Sequence, residues 1–276
     1  MSDGRAEGAR LRRIQLRALA AAEVRRSLLS TRALAVVLLV AMPLALMALR
    51  ALFMPESLRA SPTRATSEFA EVFHFFLLRF IVFFANALIF VRLFRGEILE
   101  QSLHHTLLAP MRRELLVAGK YLGGLLTTLL VLLPTTALAY ALVYLPHGGA
   151  GLSIMLSAAG LGHLAGYLLI VVLACLAYGS LFLLAGLYFR NPMVPAVLFL
   201  GWEMLTPFLP PLLKAVSFVH YLASFAPVPV SVRAFTLLAR PVAWPLALLA
   251  LLAASAVLLL IATRVARRLE ISYAAD

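Results

Sequence analysis

The sequence predicts an all-α integral membrane protein. It reads as a six-transmembrane-helix bundle with an N-terminal amphipathic helix and short outer or re-entrant helices before the last span. Three observations carry this. Of 276 residues, 63% are hydrophobic, against ~45–50% in soluble domains, and the mean hydropathy is +0.98. The apolar residues fall into blocks of about 20, the length a helix needs to cross ~30 Å of hydrocarbon. The charged residues gather between the blocks rather than alternating along helix faces.

Residues 1–32 form a basic cytoplasmic or interfacial segment. Arg12, Arg13, Arg17, Arg25 and Arg26 interleave with Leu11, Ile14, Leu19, Val24 and Leu28. That pattern fits a helix lying on anionic headgroups. The apolar block that follows is long enough to span, so it reads as a retained anchor rather than a cleaved signal.

Residues 33–263 form the transmembrane domain. The first span is expected at Ala33–Met54, with Pro43 inside it. An outer loop follows over Pro55–Glu71, then a second span at Val72–Phe94 closed by Arg92 and Arg95. The polar stretch 96–116 cannot span; it predicts two short helices turning at Ala109–Pro110, because proline disfavours helix at the preceding residue. A third span is expected at Tyr121–Leu145 and a fourth at Leu161–Phe189, with a short outer helix from Leu152 between them. Arg190–Pro192 makes an inner turn before a fifth span at Met193–Leu213. Between Thr206 and Pro245 stand seven prolines, too many for one straight helix. The last span is expected at Trp244–Ile261, and residues 264–276 form a cytoplasmic tail.

Charge asymmetry orients the bundle. With both termini inside, 17 of the 24 Lys and Arg residues face the cytoplasm and six lie outside. The positive-inside rule favours that arrangement over its inverse. The net charge of +12 is thereby explained by the membrane, and no basic stripe interleaved with aromatics points to nucleic acid.

No catalytic residue and no metal site is expected. The chain has no phosphate-cradling GxxxxGK[ST] loop, no HExxH and no GxSxG. The single cysteine, Cys175, sits in an apolar block and reads as a packing residue. His104 and His105 are adjacent, so on a helix they point about 100° apart and do not share an ion.

Two ionisable residues inside spans are candidates for a pathway or an intramembrane pair, because charge there is costly and faces a partner or a cavity. Glu203 is expected ~15 Å into the fifth span and Arg79 ~10 Å into the second, close enough in depth to meet. Gly119-x-x-x-Gly123 and Gly162-x-x-x-Gly166 offer small-residue faces for close helix packing.

The polar stretch also carries a resemblance. Arg95-Gly96-Glu97 ends the second span. Then come Leu107-Leu108-Ala109-Pro110, Arg112-Arg113-Glu114-Leu115-Leu116 and Gly119-Lys120. This order resembles the signature of ABC-2 type transporter permeases: an acidic residue, a Leu-Leu-x-x-Pro turn, an Arg-x-Glu-Leu pair and a Gly-Lys entering the third span. The span number, the basic N-terminal helix and the proline-broken segment before the last span are similar as well. Gln101-Ser102 and His104 depart from the family's usual Gly-Thr and Glu.

The resemblance implies that 96–116 holds a coupling helix seated on a separate cytoplasmic ATPase. Glu97, Glu100, Leu107, Leu108, Pro110, Arg112, Arg113 and Glu114 would make the ATPase-coupling contacts. It further implies a second permease chain, identical or related, export across a bacterial inner membrane, and ATP bound on the partner rather than on this chain. Membrane lipids are the remaining partner. The competing expectation is an ATP-independent secondary transporter or channel, which would show repeated halves with matching broken helices; no such repeat is visible.

Overall fold

A computed structural model describes residues 3–30, 33–56, 61–99, 113–228 and 242–268. Among these, the chain is helical and has no strand. Helix α1 is Asp3–Leu29 and α2 is Ala33–Leu52. Helix α3, Arg64–Val72, runs without a break through a π-helical stretch, Phe73–Val82, into α4, Phe83–Leu99. Helix α5 is Arg113–Tyr144, followed by the short α6, Gly148–Leu156. Helix α7 is Ala158–Tyr188 and α8 is Met193–Leu205. Two brief helices, α9 (Pro211–Lys214) and α10 (Phe218–Leu222), precede α11, Trp244–Arg267.

Among the described residues, five helical runs are long and apolar enough to cross a membrane: Ala33–Leu52, Arg64–Glu97, Arg113–Leu156, Ala158–Tyr188 and Trp244–Arg267. The fifth expected span is shorter than the sequence suggests. It covers Met193–Phe208, about 24 Å at 1.5 Å per residue, because Pro207 and Pro210 interrupt it. Two other boundaries move. The helix of the second span begins at Arg64, inside the expected outer loop, and that of the third begins at Arg113 rather than Tyr121. The last helix runs on past Ile261 to Arg267.

Cross-helix contacts define two ends of the bundle. At one end Arg50 bonds Glu68 (2.5 Å), Thr66 meets the Tyr144 hydroxyl (3.0 Å) and Tyr140 donates to Gly160 O (2.9 Å). At the other, Arg113 donates to Ala266 O and Arg267 O (3.2 and 2.6 Å), and Arg267 pairs with Glu114. We call the second the basic end. A cation among the last carbonyls of α11 suits the negative end of that helix.

The core is aromatic. Phe69 makes edge contacts with Tyr140 and Tyr167 at 4.9 and 4.8 Å between centroids. Phe83 does the same with Tyr178 and Phe182 at 5.3 and 5.0 Å. Glycines let the central helices approach. Phe90 is fully buried and lies between Gly124 and Gly179: a Cβ at Gly124 would stand 2.9 Å from the ring, and one at Gly179 2.5 Å from it. A Cβ at either glycine would press on the outer edge of the ring. Gly179→Ala is therefore expected to cost about 1–3 kcal/mol by overpacking. A thermal-unfolding comparison in detergent checks it; an unchanged midpoint would show that α4 and α7 separate freely.

The Gly119-x-x-x-Gly123 face is used within the chain. Helix α1 lies on it, and a Cβ at Gly123 would stand 2.6 Å from Glu23 Cβ and 3.1 Å from Ala20 O. By contrast, a Cβ at Gly162 would meet nothing within 4 Å, and Gly166 packs on the Pro227 ring.

Candidate functional site

The close approach of α1 to α5 brings four charged side chains together at the basic end. Lys120 on α5 is fully buried. Its Nζ donates to Glu23 Oε1 on α1 (2.5 Å), to Glu97 Oε1 on α4 (2.7 Å) and to Leu93 O (2.7 Å). All three donors of the ammonium are thus used. The Phe94 ring lies 5.2 Å from the same nitrogen, within cation–π range. Arg26, half-exposed, adds a bond to Glu97 Oε1 at 2.7 Å. Glu23 and Glu97 are 6% and 4% exposed, so two carboxylates and one ammonium sit out of water.

Geometry follows from spacing. Glu23 and Arg26 are three apart, hence on one face of α1. Glu97 and Leu93 are four apart on α4. Lys120 follows Gly119, whose lack of a side chain lets α1 approach. Glu97 and Lys120 bracket the polar stretch 96–116 from its two sides, and the cluster ties both sides to α1.

Of the residues expected to contact an ATPase, Glu97 is in this cluster. Arg113 and Glu114 are exposed and engaged with the end of α11. Glu100, Leu107, Leu108, Pro110 and Arg112 lie outside the described residues, as do His104, His105 and the Ala109–Pro110 turn. From sequence, Arg26 belonged to the basic N-terminal pattern and Lys120 to the Gly-Lys motif, neither of them as a site residue, and Glu23 was not singled out. The available signal was slight: Glu23 is the one acid between Leu11 and Arg32.

Arg79 and Glu203 do come together, through a different atom. Arg79 Nη1 donates to the Glu203 backbone carbonyl at 3.4 Å, and its guanidinium lies 5.7 Å from the Phe75 ring. The Glu203 carboxylate, in a residue 1% exposed, turns the other way. It accepts from Ser217 Oγ (2.6 Å), Phe218 N (2.8 Å) and Val219 N (3.2 Å). Those amides are the first of α10, whose leading N–H groups have no helical partner. Thr206 donates to Ser217 Oγ at 2.9 Å. Glu203 thus caps α10 and fixes the proline-broken segment to α8. The Tyr178 hydroxyl, fully buried between Phe83 and Phe218, has no hydrogen-bond partner among the described residues.

No group of three or more His, Cys, Asp or Glu that could hold a metal occurs among the described residues. No protein-family model matches the chain, and no curated protein is similar to it.

Proposed function

We propose that this chain is the transmembrane permease subunit of an ATP-binding-cassette transporter of the ABC-2 type. It exports a substrate across a bacterial inner membrane, driven by a separate ATPase subunit. The observation that carries the reading is the meeting of Glu97 and Lys120. A loop that receives force from a partner has to be joined stiffly to the spans. Here the residues on its two sides share one buried ion cluster, and Arg113 adds a grip on the last helix. In this reading, motion of 96–116 moves α1, α4, α5 and α11 together.

The same reading takes six crossings, with both termini cytoplasmic. The end of α11 lies beside the start of α5, at the basic end where α1 also docks. Five crossings would leave the two on opposite faces. Met193–Phe208 with α9 and α10 supplies the missing passage. Short helices at membrane depth are acceptable where protein covers their backbone, as Glu203 does for α10. The basic end then faces the cytoplasm, in line with the positive-inside rule.

The test is co-purification of the solubilised chain from its native cell, repeated with Leu107, Leu108 and Pro110 each replaced by aspartate. A soluble ATPase that accompanies the native chain and is lost from these variants is the expected result. Absence of any ATPase, together with transport that ignores ATP, would put the secondary-transporter reading in its place.

A further inference from the structure

Charge inside hydrocarbon is costly and is kept where it has a partner or a polar space to face. Arg79, within the run Arg64–Glu97, has little of the first. Its hydrogen bond among the described residues is the long one to the Glu203 carbonyl, a neutral acceptor. The Glu203 carboxylate acts on it only through space, because Ser217, Phe218 and Val219 already engage that carboxylate. Most of the donors of a guanidinium are left over, and Arg79 is partly exposed.

A second cation repeats the pattern. Lys214, at the end of α9, is 4% exposed, and its ammonium makes no hydrogen bond or ion pair among the described residues. The titratable group beside it is His220, not an acid. The sequence has no acid in reserve for either cation: there is none between Glu71 and Glu97, and the one acid between Glu114 and Glu270 is Glu203. Two cations therefore stand against one carboxylate, and the balance is positive even with Glu203 counted in full. Arg79 also lies within the π-helical stretch Phe73–Val82, and such stretches are rare and frequent at functional sites. Its neighbour Phe75 is 38% exposed, with the ring 5.7 Å from the guanidinium. The arginine is offered outward beside an apolar surface, and the fold makes little use of its charge.

We propose that the export pathway selects a negatively charged group and that Arg79 is the residue that meets it. The cargo is then an anion, with a carboxylate or phosphate on a larger body. The paired donors of a guanidinium match the oxygens of such groups. Unbalanced positive charge in a low-dielectric setting draws anions in and turns cations away. The inference rests on the permease reading and names the class of cargo for it.

The experiment measures which charge reaches Arg79. It uses two thiol reagents of similar size: sulfonatoethyl methanethiosulfonate, an anion, and trimethylammonioethyl methanethiosulfonate, a cation. The full chain carries Cys175→Ala, which removes its single, buried cysteine, and Phe75→Cys as the reporter, in phosphatidylcholine vesicles at low ionic strength. Each rate is divided by that reagent's rate with free cysteine. The anion is expected to react about tenfold faster than the cation, the ratio that one unit charge about 6 Å away produces in water. Arg79→Gln is expected to abolish the preference and Arg79→Lys to keep part of it. Phe80→Cys, also at an exposed position, is the second reporter should Phe75→Cys fail to fold. Reaction with neither reagent overturns the proposal, since Arg79 then faces lipid. So does an equal or cation-favouring ratio, or an anion preference that survives Arg79→Gln. No ATPase and no ATP enter this measurement. An ATPase that co-purifies with a chain lacking the preference leaves the permease reading standing and overturns the anionic cargo. An anion preference without any ATPase supports Arg79 as the selecting residue and overturns the permease reading alone.

Discussion

Lys120→Met is expected to destabilise the protein by about 3–5 kcal/mol, the usual cost of removing one partner from a buried ion pair. The reason lies in what remains. Glu23 and Glu97 are both nearly inaccessible to water and both take a bond from the Lys120 ammonium. Without it, two carboxylates face each other out of water, with Arg26 still bonded to Glu97. The Leu93 carbonyl loses its bond from Lys120 as well. The measurement is the unfolding free energy in a mixed-micelle denaturation series. A triple variant separates charge from packing: Lys120→Met combined with Glu23→Gln and Glu97→Gln is expected to recover more than half of the loss, because no uncompensated charge is then buried. If Lys120→Met alone unfolds like the wild type, the cluster does not hold α1. In the proposed transporter, the same variant is expected to uncouple ATP hydrolysis from transport even where it still folds.

Glu203→Ala is expected to be nearly as costly, at about 3–5 kcal/mol. A hydrogen bond to a charged group is worth ~1.5–3 kcal/mol, and this carboxylate accepts three. Deleting it strands two amide donors at the start of α10 and the Ser217 hydroxyl, all buried with it. Glu203→Gln keeps the shape but turns an NH2 group toward a donor, so about 2 kcal/mol is expected. Arg79 gives a contrast. Beside its contact with the Phe75 ring, its hydrogen bond among the described residues is to the Glu203 carbonyl, at a long 3.4 Å. Arg79→Met is thus expected to cost less than Glu203→Ala. The check is the order of unfolding midpoints across the three variants. An Arg79→Met loss larger than that of Glu203→Ala would mean the carboxylate's main partner is the guanidinium rather than the α10 amides.

The long spans are legible in the sequence because blocks of about 20 apolar residues have one outcome in hydrocarbon. Their ends are less so. Arg64–Glu71 is polar enough to read as a loop and Arg113–Leu116 as a short helix apart from the third span, yet both continue into span helices because both pack against neighbours: Phe69 and Ala65 are buried on one, Lys120 and Leu116 on the other. Pairing across sequence distance is harder still. Glu203 was visible as a charge in an apolar block, and Arg79 as its neighbour in depth. Depth does not show that the carboxylate would turn to Phe218 and Val219, since backbone amides leave no mark in a sequence. Glu23 was hidden by its setting, because an acid among arginines looks like a surface residue until Gly119 and Gly123 bring α5 against it. The π-helical stretch Phe73–Val82 has no counterpart in hydrophobic periodicity; Asn86, which donates to Val82 O at 2.7 Å, is the one polar residue marking where it ends.

The seating of α1 on α5 has a consequence for the order in which the chain is made. Glu23 and Lys120 stand 97 residues apart. At ~5–20 residues per second of synthesis, Lys120 leaves the ribosome about 5–20 s after Glu23. Through that interval the first two spans are being inserted, and the glycine groove that α1 finally occupies does not exist. The N-terminal helix has to wait, and the charged cluster closes only once α5 has been made. Assembly of this end of the molecule is therefore a late step, and nascent chains halted before Lys120 lack the means to complete it.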